Sequence, residues 1–229
     1  MTKKKSFVGA IIFDGFKRHL NSALVIRNNK VIEIIPEEKV DPKTEQIVLA
    51  GGLLTPGFID LQVNGGGGVL FNDNPSLENL KTICEAHAKL GSTSIMPTLI
   101  SDSPEVNKQA ISAITDALDQ QVNGLVGLHL EGPHLALARK GAHKEVFIRP
   151  MQEFDCLELE SLANKVPNLM LTIAPEAVLP EQITRLSNAG AIISLGHTDC
   201  TFNQAVEAVD AGAICATHLF NAMSPFGSR

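Results

Sequence analysis

Residues 127–134 read GLHLEGPH, a short apolar segment bounded by glycine and proline like a buried strand, yet carrying two histidines and a glutamate. Successive side chains of a strand alternate faces, so His129 and Glu131 share one face and Leu128 and Leu130 the other. A buried carboxylate is costly unless it meets a cation, a metal ion or a donor network. Glu131 therefore needs a partner from elsewhere in the chain.

Five further runs share the strand character of LVGLHLEGP (125–133): GFIDLQVN (57–64), STSIMPTLI (92–100), LMLTIAPE (169–176), AIISLGHT (191–198) and AICATHLFN (213–221). Most are separated by segments of helical period, PSLENLKTICEAHAKLG, SPEVNKQAISAITDALDQ, LPEQITRLSNAG and TFNQAVEAVDAG, several of which open on Ser, Thr or Pro and close on Gly. Six strands alternating with helices predict a parallel sheet covered on both faces, either a (β/α) barrel or a doubly wound sheet. The gap from 134 to 168 is wider than a plain connector, and HLALARKGAHKEVFIRP within it reads as a functional loop.

Before residue 55 the pattern is different. FVGAIIF, ALVIRNN, KVIEII and QIVLAGGLL are β-type runs between polar turns, which predicts a small β-domain over 1–54 and a (β/α) unit over 55–229. At 229 residues and 44% hydrophobic content the chain can bury a sizeable core. A net charge of −6, with basic residues scattered apart from Lys3–Lys5, lacks the basic stripe of a nucleic-acid binder. No stretch approaches the roughly 18 uncharged apolar residues of a membrane-spanning helix. The widely spaced Cys84, Cys156, Cys200 and Cys215 form neither CxxC pairs nor a disulfide framework, which predicts a reducing cytoplasm and small core residues.

The unusual polar residues all fall near the C-terminal ends of the strand-like runs: Gln62 and Asn64, Glu131, His197, and His218 with Asn221. That end of a parallel α/β sheet is where active sites are built. One carboxylate and two imidazoles from three strands match a catalytic zinc-type ligand set with one position left open. His129, one step deeper than Glu131, is either a support for the ligands or a structural core histidine. His134 follows the strand without an assigned role. His87 in a helix and His19 in a turn of the β-domain are structural or exposed, and Asp60 either faces the interior or pairs with a backbone donor.

With TPGFIDLQVNGGGG, PTLI, GLHLEGPH, KGAH, IAPE, GHT and THLFNAM in this order, the chain resembles the N-acetylglucosamine-6-phosphate deacetylases of the amidohydrolase superfamily along its whole length. The resemblance implies an α/β fold, a (β/α)8-type amidohydrolase barrel of which about six strands are present, with residues 1–54 forming part of a β-sandwich. It implies one divalent metal, zinc foremost with iron, cobalt or manganese as alternatives, held by Glu131, His197 and His218. Substrate contacts would come from Gln62, Asn64, Ala142, His143, Asn221 and Ala222. Arg229 would bind the sugar phosphate, a group that an arginine fork suits. The resemblance also implies a homodimer in the full-length family form, in keeping with the cytoplasmic setting that the cysteines predict.

Two departures carry consequences. Many amidohydrolases have HxH on the first barrel strand for a second metal; here Gln62 and Asn64 occupy those positions, which resembles the single-metal branch. The family's general base is an aspartate on the last barrel strand, and the sequence contains no such strand, being shorter over 55–229 than the about 250 residues of a typical barrel. The implied reaction is hydrolysis of the acetamide of N-acetylglucosamine 6-phosphate to glucosamine 6-phosphate and acetate, with His143 orienting the substrate. A catalytically impaired metal- or phosphosugar-binding fragment is the alternative from another class. A cyclic amidase is the alternative within the superfamily, but it predicts HxH and often a bridging lysine.

Overall fold

The computed structural model describes residues 4–225 of the 229. The chain divides into two compact units, Met1–Gly57 and Phe58–Arg229, slightly beyond the boundary that the change of sequence pattern predicts.

The first unit contains two small sheets. Strands β1 (Lys4–Val8), β4 (Ser22–Arg27), β5 (Lys30–Pro36) and β6 (Glu45–Val48) form one in the order β5-β4-β1-β6, and β2 (Ile11–Phe13), β3 (Arg18–His19) and β7 (Leu53–Leu54) form the other in the order β3-β2-β7. Ala23 and Val25 of β4 are buried together with Ile12 of β2, as one-sided alternation requires. The run 46–54, read as one strand, is two strands in different sheets. His19 is not in a turn but in β3, where its Nε2 pairs with Asp14 Oδ2 at 2.7 Å. That bond, with the N–H groups of Lys17 and Phe16, holds the Asp14 carboxyl well below the usual range.

The second unit is a six-stranded sheet in the order β15-β14-β13-β12-β11-β8, built from β8 (Phe58–Val63), β11 (Ser92–Ile100), β12 (Leu128–Glu131), β13 (Leu169–Ile173), β14 (Ile192–Leu195) and β15 (Ala213–Ala216). All neighbouring pairs are parallel. A short hairpin, β9 (Gly65–Gly66) with β10 (Val69–Leu70), follows β8. Helices α1 (Leu77–Lys89), α2 (Pro104–Asp119), α3 (Glu153–Ala163), α4 (Pro180–Asn188) and α5 (Phe202–Asp210) connect successive strands.

The helices start where capping chemistry allows. The Ser76 hydroxyl accepts from the Asn79 N–H, Ser103 accepts from Val106 with Pro104 at the first helical position, and Thr201 with Gln204 forms a capping box. Leu80, Ile83 and Cys84 of α1, Ala110, Ala113, Ile114 and Ala117 of α2, and Ile183 and Leu186 of α4 turn inward onto Leu128, Leu169, Leu171 and Ile193 of the sheet. Burial of a Leu or Ile side chain is worth about 1.5–3 kcal/mol, so this face drives the unit's folding. Of the four cysteines only Cys84 and Cys156 are buried; Cys200 and Cys215 are partly exposed, a correction to the expectation that most fill the core.

The other face of the sheet is polar at mid-height. Thr98 Oγ1 accepts from the Val63 N–H at 3.0 Å and shares a hydrogen bond of 3.0 Å with His129 Nδ1. His129 Nε2 meets Thr172 Oγ1 at 2.6 Å, Thr172 meets Thr217 at 2.6 Å, and Thr217 meets Ser194 at 2.7 Å. These side chains are all buried. Together with the Val63 N–H they tie the five strands from β8 to β14, and the residue that follows β15, into one hydrogen-bonded belt. Gly196 keeps the belt closed, since a Cβ there would lie 2.7 Å from Thr172 Cγ2 and 2.9 Å from Thr217 Cβ.

Candidate metal centre

Directly above this belt the strand ends bring three side chains together. Glu131 is the last residue of β12, His197 lies just past β14 and His218 just past β15. Glu131 Oε1 is 3.2 Å from His197 Nε2 and 3.2 Å from His218 Nε2, and the two nitrogens are 3.1 Å apart. Gln62 Nε2 donates to the same carboxylate oxygen at 3.0 Å. Both histidines have positive φ, 49° and 32°, a conformation costly for a residue with a side chain and characteristic of functional sites.

The outer nitrogens of the two rings decide what the inner ones can do. His197 Nδ1 donates to the Arg139 carbonyl at 2.8 Å, and His218 Nδ1 donates to the Asn221 carbonyl at 3.1 Å. A carbonyl oxygen only accepts, so each neutral ring carries its proton on Nδ1 and turns the Nε2 lone pair inward. Two lone pairs and a carboxylate oxygen thus converge, and this set of acceptors calls for a cation between them. A proton can serve, and so can a divalent metal of the kind that prefers imidazole and carboxylate. The residues present fit a metal.

The electrostatics agree. Burial opposes ionisation of Glu131, but its hydrogen bond to His197 and the surrounding imidazoles outweigh this and bring its pKa down to about 2. Burial also opposes charge on His197, yet the bonds to Glu131 and to the Arg139 carbonyl raise its pKa above the ordinary histidine value. His129, fully buried in the belt, is pushed down to about 4 by desolvation and stays neutral at pH 7. Its two ring nitrogens bond Thr98 and Thr172 within the belt. His129 therefore supports the belt beneath the centre.

A cavity of about 560 Å³ opens over these groups, lined by Gln62, Asn64, Asn72, Glu131, Arg139, Ala142, His143, His197, His218, Asn221 and Ala222 among others. Its size suits a small ligand. The loop after β12 supplies one wall and is strapped down at both ends. The Arg139 guanidinium pairs with Asp199, which also bonds Ser224, and Arg149 makes a two-point pair with Asp155 of α3. His134 Nδ1 donates to the Arg149 carbonyl at 3.1 Å, a structural role in the same strap.

Of the residues singled out in the sequence, Gln62, Asn64, Ala142, His143, Asn221 and Ala222 all line this cavity. Arg229 lies outside the described residues. Asp60 accepts from the Gln62 N–H at 3.1 Å, so it resolves as a partner of a backbone donor. His87 Nε2 donates to the Gly65 carbonyl at 3.0 Å. Sequence reasoning passed over Glu176, whose two oxygens accept from the Thr198 hydroxyl and the Asp199 N–H and so hold the segment after His197. Its position at the end of the run LMLTIAPE was the available signal. Asn72 and Ser101 were passed over as well, though both bond groups beside the cavity.

Residues 53–227 match the model of the amidohydrolase family. The chain belongs to that family. It is 45% identical over 181 residues to an N-acetylgalactosamine-6-phosphate deacetylase of Shewanella sp. (strain ANA-3), an alignment covering 79% of this chain and 45% of the relative. It is 35% identical to an N-acetylglucosamine-6-phosphate deacetylase of Haemophilus influenzae over 98% of this chain and 58% of the relative. The crystal structure of the N-acetylglucosamine-6-phosphate deacetylase from Pasteurella multocida superposes with a TM-score of 0.94 at 39% identity, covering 98% of this chain and 59% of that one. A mutant of the Mycobacterium smegmatis deacetylase, in complex with N-acetyl-D-glucosamine-6-phosphate, superposes with a TM-score of 0.84 at 30% identity, covering 99% and 57%. The amidohydrolase thus spans about half the length of the curated relatives it matches. No helix among the described residues is long and apolar enough to cross a membrane.

Proposed function

We propose that this chain holds one divalent metal ion, zinc foremost, between Glu131, His197 and His218, and belongs to a hydrolase that removes the acetyl group of N-acetylglucosamine 6-phosphate. The observation that carries the reading is the convergence of two inward lone pairs and one carboxylate oxygen within 3.2 Å. The names of the relatives and the phosphosugar in the Mycobacterium smegmatis structure supply the substrate class. A divalent metal, when bound, polarises a carbonyl oxygen and lowers the pKa of water.

The chain's own residues supply position. Gln62 holds Glu131 by its amide and leaves the second carboxylate oxygen toward His143. His143 offers a hydrogen bond to the acetyl oxygen or the sugar, and Asn64, Ala142, Asn221 and Ala222 shape the sugar site. The phosphate falls to Arg229. A homodimer and a cytoplasmic setting belong to the same reading, supported by the resemblance and by four unpaired cysteines.

A second reading replaces the glucosamine epimer by galactosamine, and the 45% identity to the Shewanella relative favours it. Acetate release by the zinc-loaded protein from N-acetylglucosamine 6-phosphate and N-acetylgalactosamine 6-phosphate, side by side, decides between them. Faster release from the glucosamine epimer supports the proposal, and faster release from the other supports the second reading. Release from neither would leave a metal-binding protein without this activity.

A further inference from the structure

We infer that Ser101 and Asn72 are positioning residues for His143, fixing its ring as an Nε2–H donor and so keeping it out of the metal's ligand set. The inference deepens the metal-site reading above and rests on it. Distance alone does not separate His143 from the ligands, because ligand atoms of Glu131, His143 and His197 all lie within 4.8 Å of one another. His143 Nε2 is 3.8 Å from Glu131 Oε2, and its ring packs edge-on against His197 with centroids 4.5 Å apart. The proton separates them.

Two groups of Ser101 meet His143 Nδ1: the backbone N–H at 3.2 Å and the hydroxyl at 2.8 Å. A backbone N–H can only donate. Nδ1 is therefore the lone-pair nitrogen of the neutral ring, and the proton sits on Nε2, which faces the cavity. His197 and His218 show the opposite pattern, since their Nδ1 atoms donate to carbonyls. A metal needs a free lone pair, whereas an Nε2–H suits an oxygen of the substrate.

The donor is held from behind. The peptide unit that carries the Ser101 N–H also carries the Ile100 carbonyl, and that carbonyl accepts from Asn72 Nδ2 at 3.1 Å. Asn72 Oδ1 accepts from the Ile100 N–H at 3.0 Å, and Nδ2 gives its second proton to Asp102 Oδ2 at 3.1 Å. Every polar site of the Asn72 amide on this side is used, so a flip would oppose two donors. The amide pins the peptide plane that aims at His143. Gly132 makes room for the Ser101 hydroxyl, since a Cβ there would lie 2.3 Å from Oγ.

The test is long-range ¹H–¹⁵N correlation of the histidine rings in the metal-free chain, at a pH where they are neutral, with His143 assigned by its replacement. The inference expects His143 protonated at Nε2, and an Nδ1–H pattern overturns it. Loading with cadmium-113 should give couplings to the Nε2 atoms of His197 and His218 and none to His143; a coupling to His143 overturns the inference. Failure to bind cadmium would count against the metal-site reading, while the metal-free spectrum still decides the tautomer. Ser101→Ala should shift the His143 Nδ1 resonance toward that of free imidazole, and Ser101→Thr should restore it. An unchanged resonance in Ser101→Ala removes the hydroxyl from the role assigned here.

Discussion

Replacing Thr172 with valine exchanges a hydroxyl for a methyl of nearly the same shape, in the middle of the buried belt. His129 Nε2 loses its partner at 2.6 Å, and Thr217 loses one of its two, keeping only Ser194. His129 is fully buried and the Thr217 side chain nearly so, so water cannot replace the lost contacts. A buried polar group left unsatisfied costs about 1–3 kcal/mol and a net hydrogen bond about 1 kcal/mol. The sum predicts that Thr172→Val destabilises the second unit by about 2–4 kcal/mol. Urea unfolding of parent and variant under identical conditions reads this as a lower midpoint at unchanged slope. His129→Leu in the same chain should recover part of the loss, because removing both partners removes the unsatisfied group. A midpoint change equivalent to less than about 0.5 kcal/mol, the level of ordinary surface substitutions, would refute the belt as a stabilising network.

Three other outcomes follow from the centre and its straps. His197→Ala should fold but bind zinc far more weakly than the parent, as measured by calorimetric titration. Because the His197 pKa is raised above the ordinary histidine value, a metal must displace a proton there; zinc affinity should fall as the pH drops below neutrality, whereas Glu131, ionised down to about pH 2, adds no dependence in that range. Asp155→Ala should cost about 1–3 kcal/mol by removing the partner of Arg149 and the acceptor for the Gln152 N–H at the start of α3. Burial raises the Asp155 pKa, but Arg149 and the Gln152 N–H outweigh it and depress the folded value. Its stabilising effect is therefore full above the unfolded pKa of about 3.9 and lost as the pH falls toward the folded one, which unfolding at pH 7 and pH 3 would check.

The fold was legible because its signals are local. Strand ends, helix caps and the alternation that puts His129 and Glu131 on one face are written within a few residues of each other, and the same alternation foretold a partnered Glu131. The short strands of the first unit were less legible: β3 is two residues long, and Gly51 and Gly52 split one apolar run between two sheets. Which histidines offer a lone pair was not legible at all. That depends on the Arg139 carbonyl for His197 and on the Ser101 N–H for His143, contacts made across 58 and 42 positions of chain by backbone groups that every residue possesses. No residue type announces them.

If the proposed site is right, Glu131, His197 and His218 together hold a single metal ion. Anomalous diffraction at the zinc edge, from crystals of this chain grown with zinc, tests it most directly. One peak is expected, bonded to Nε2 of both histidines and to the Glu131 carboxylate, with Gln62 and Asn64 holding no second ion. A peak bonded to His143, or two peaks about 3.5–4 Å apart as in two-metal sites, would contradict it.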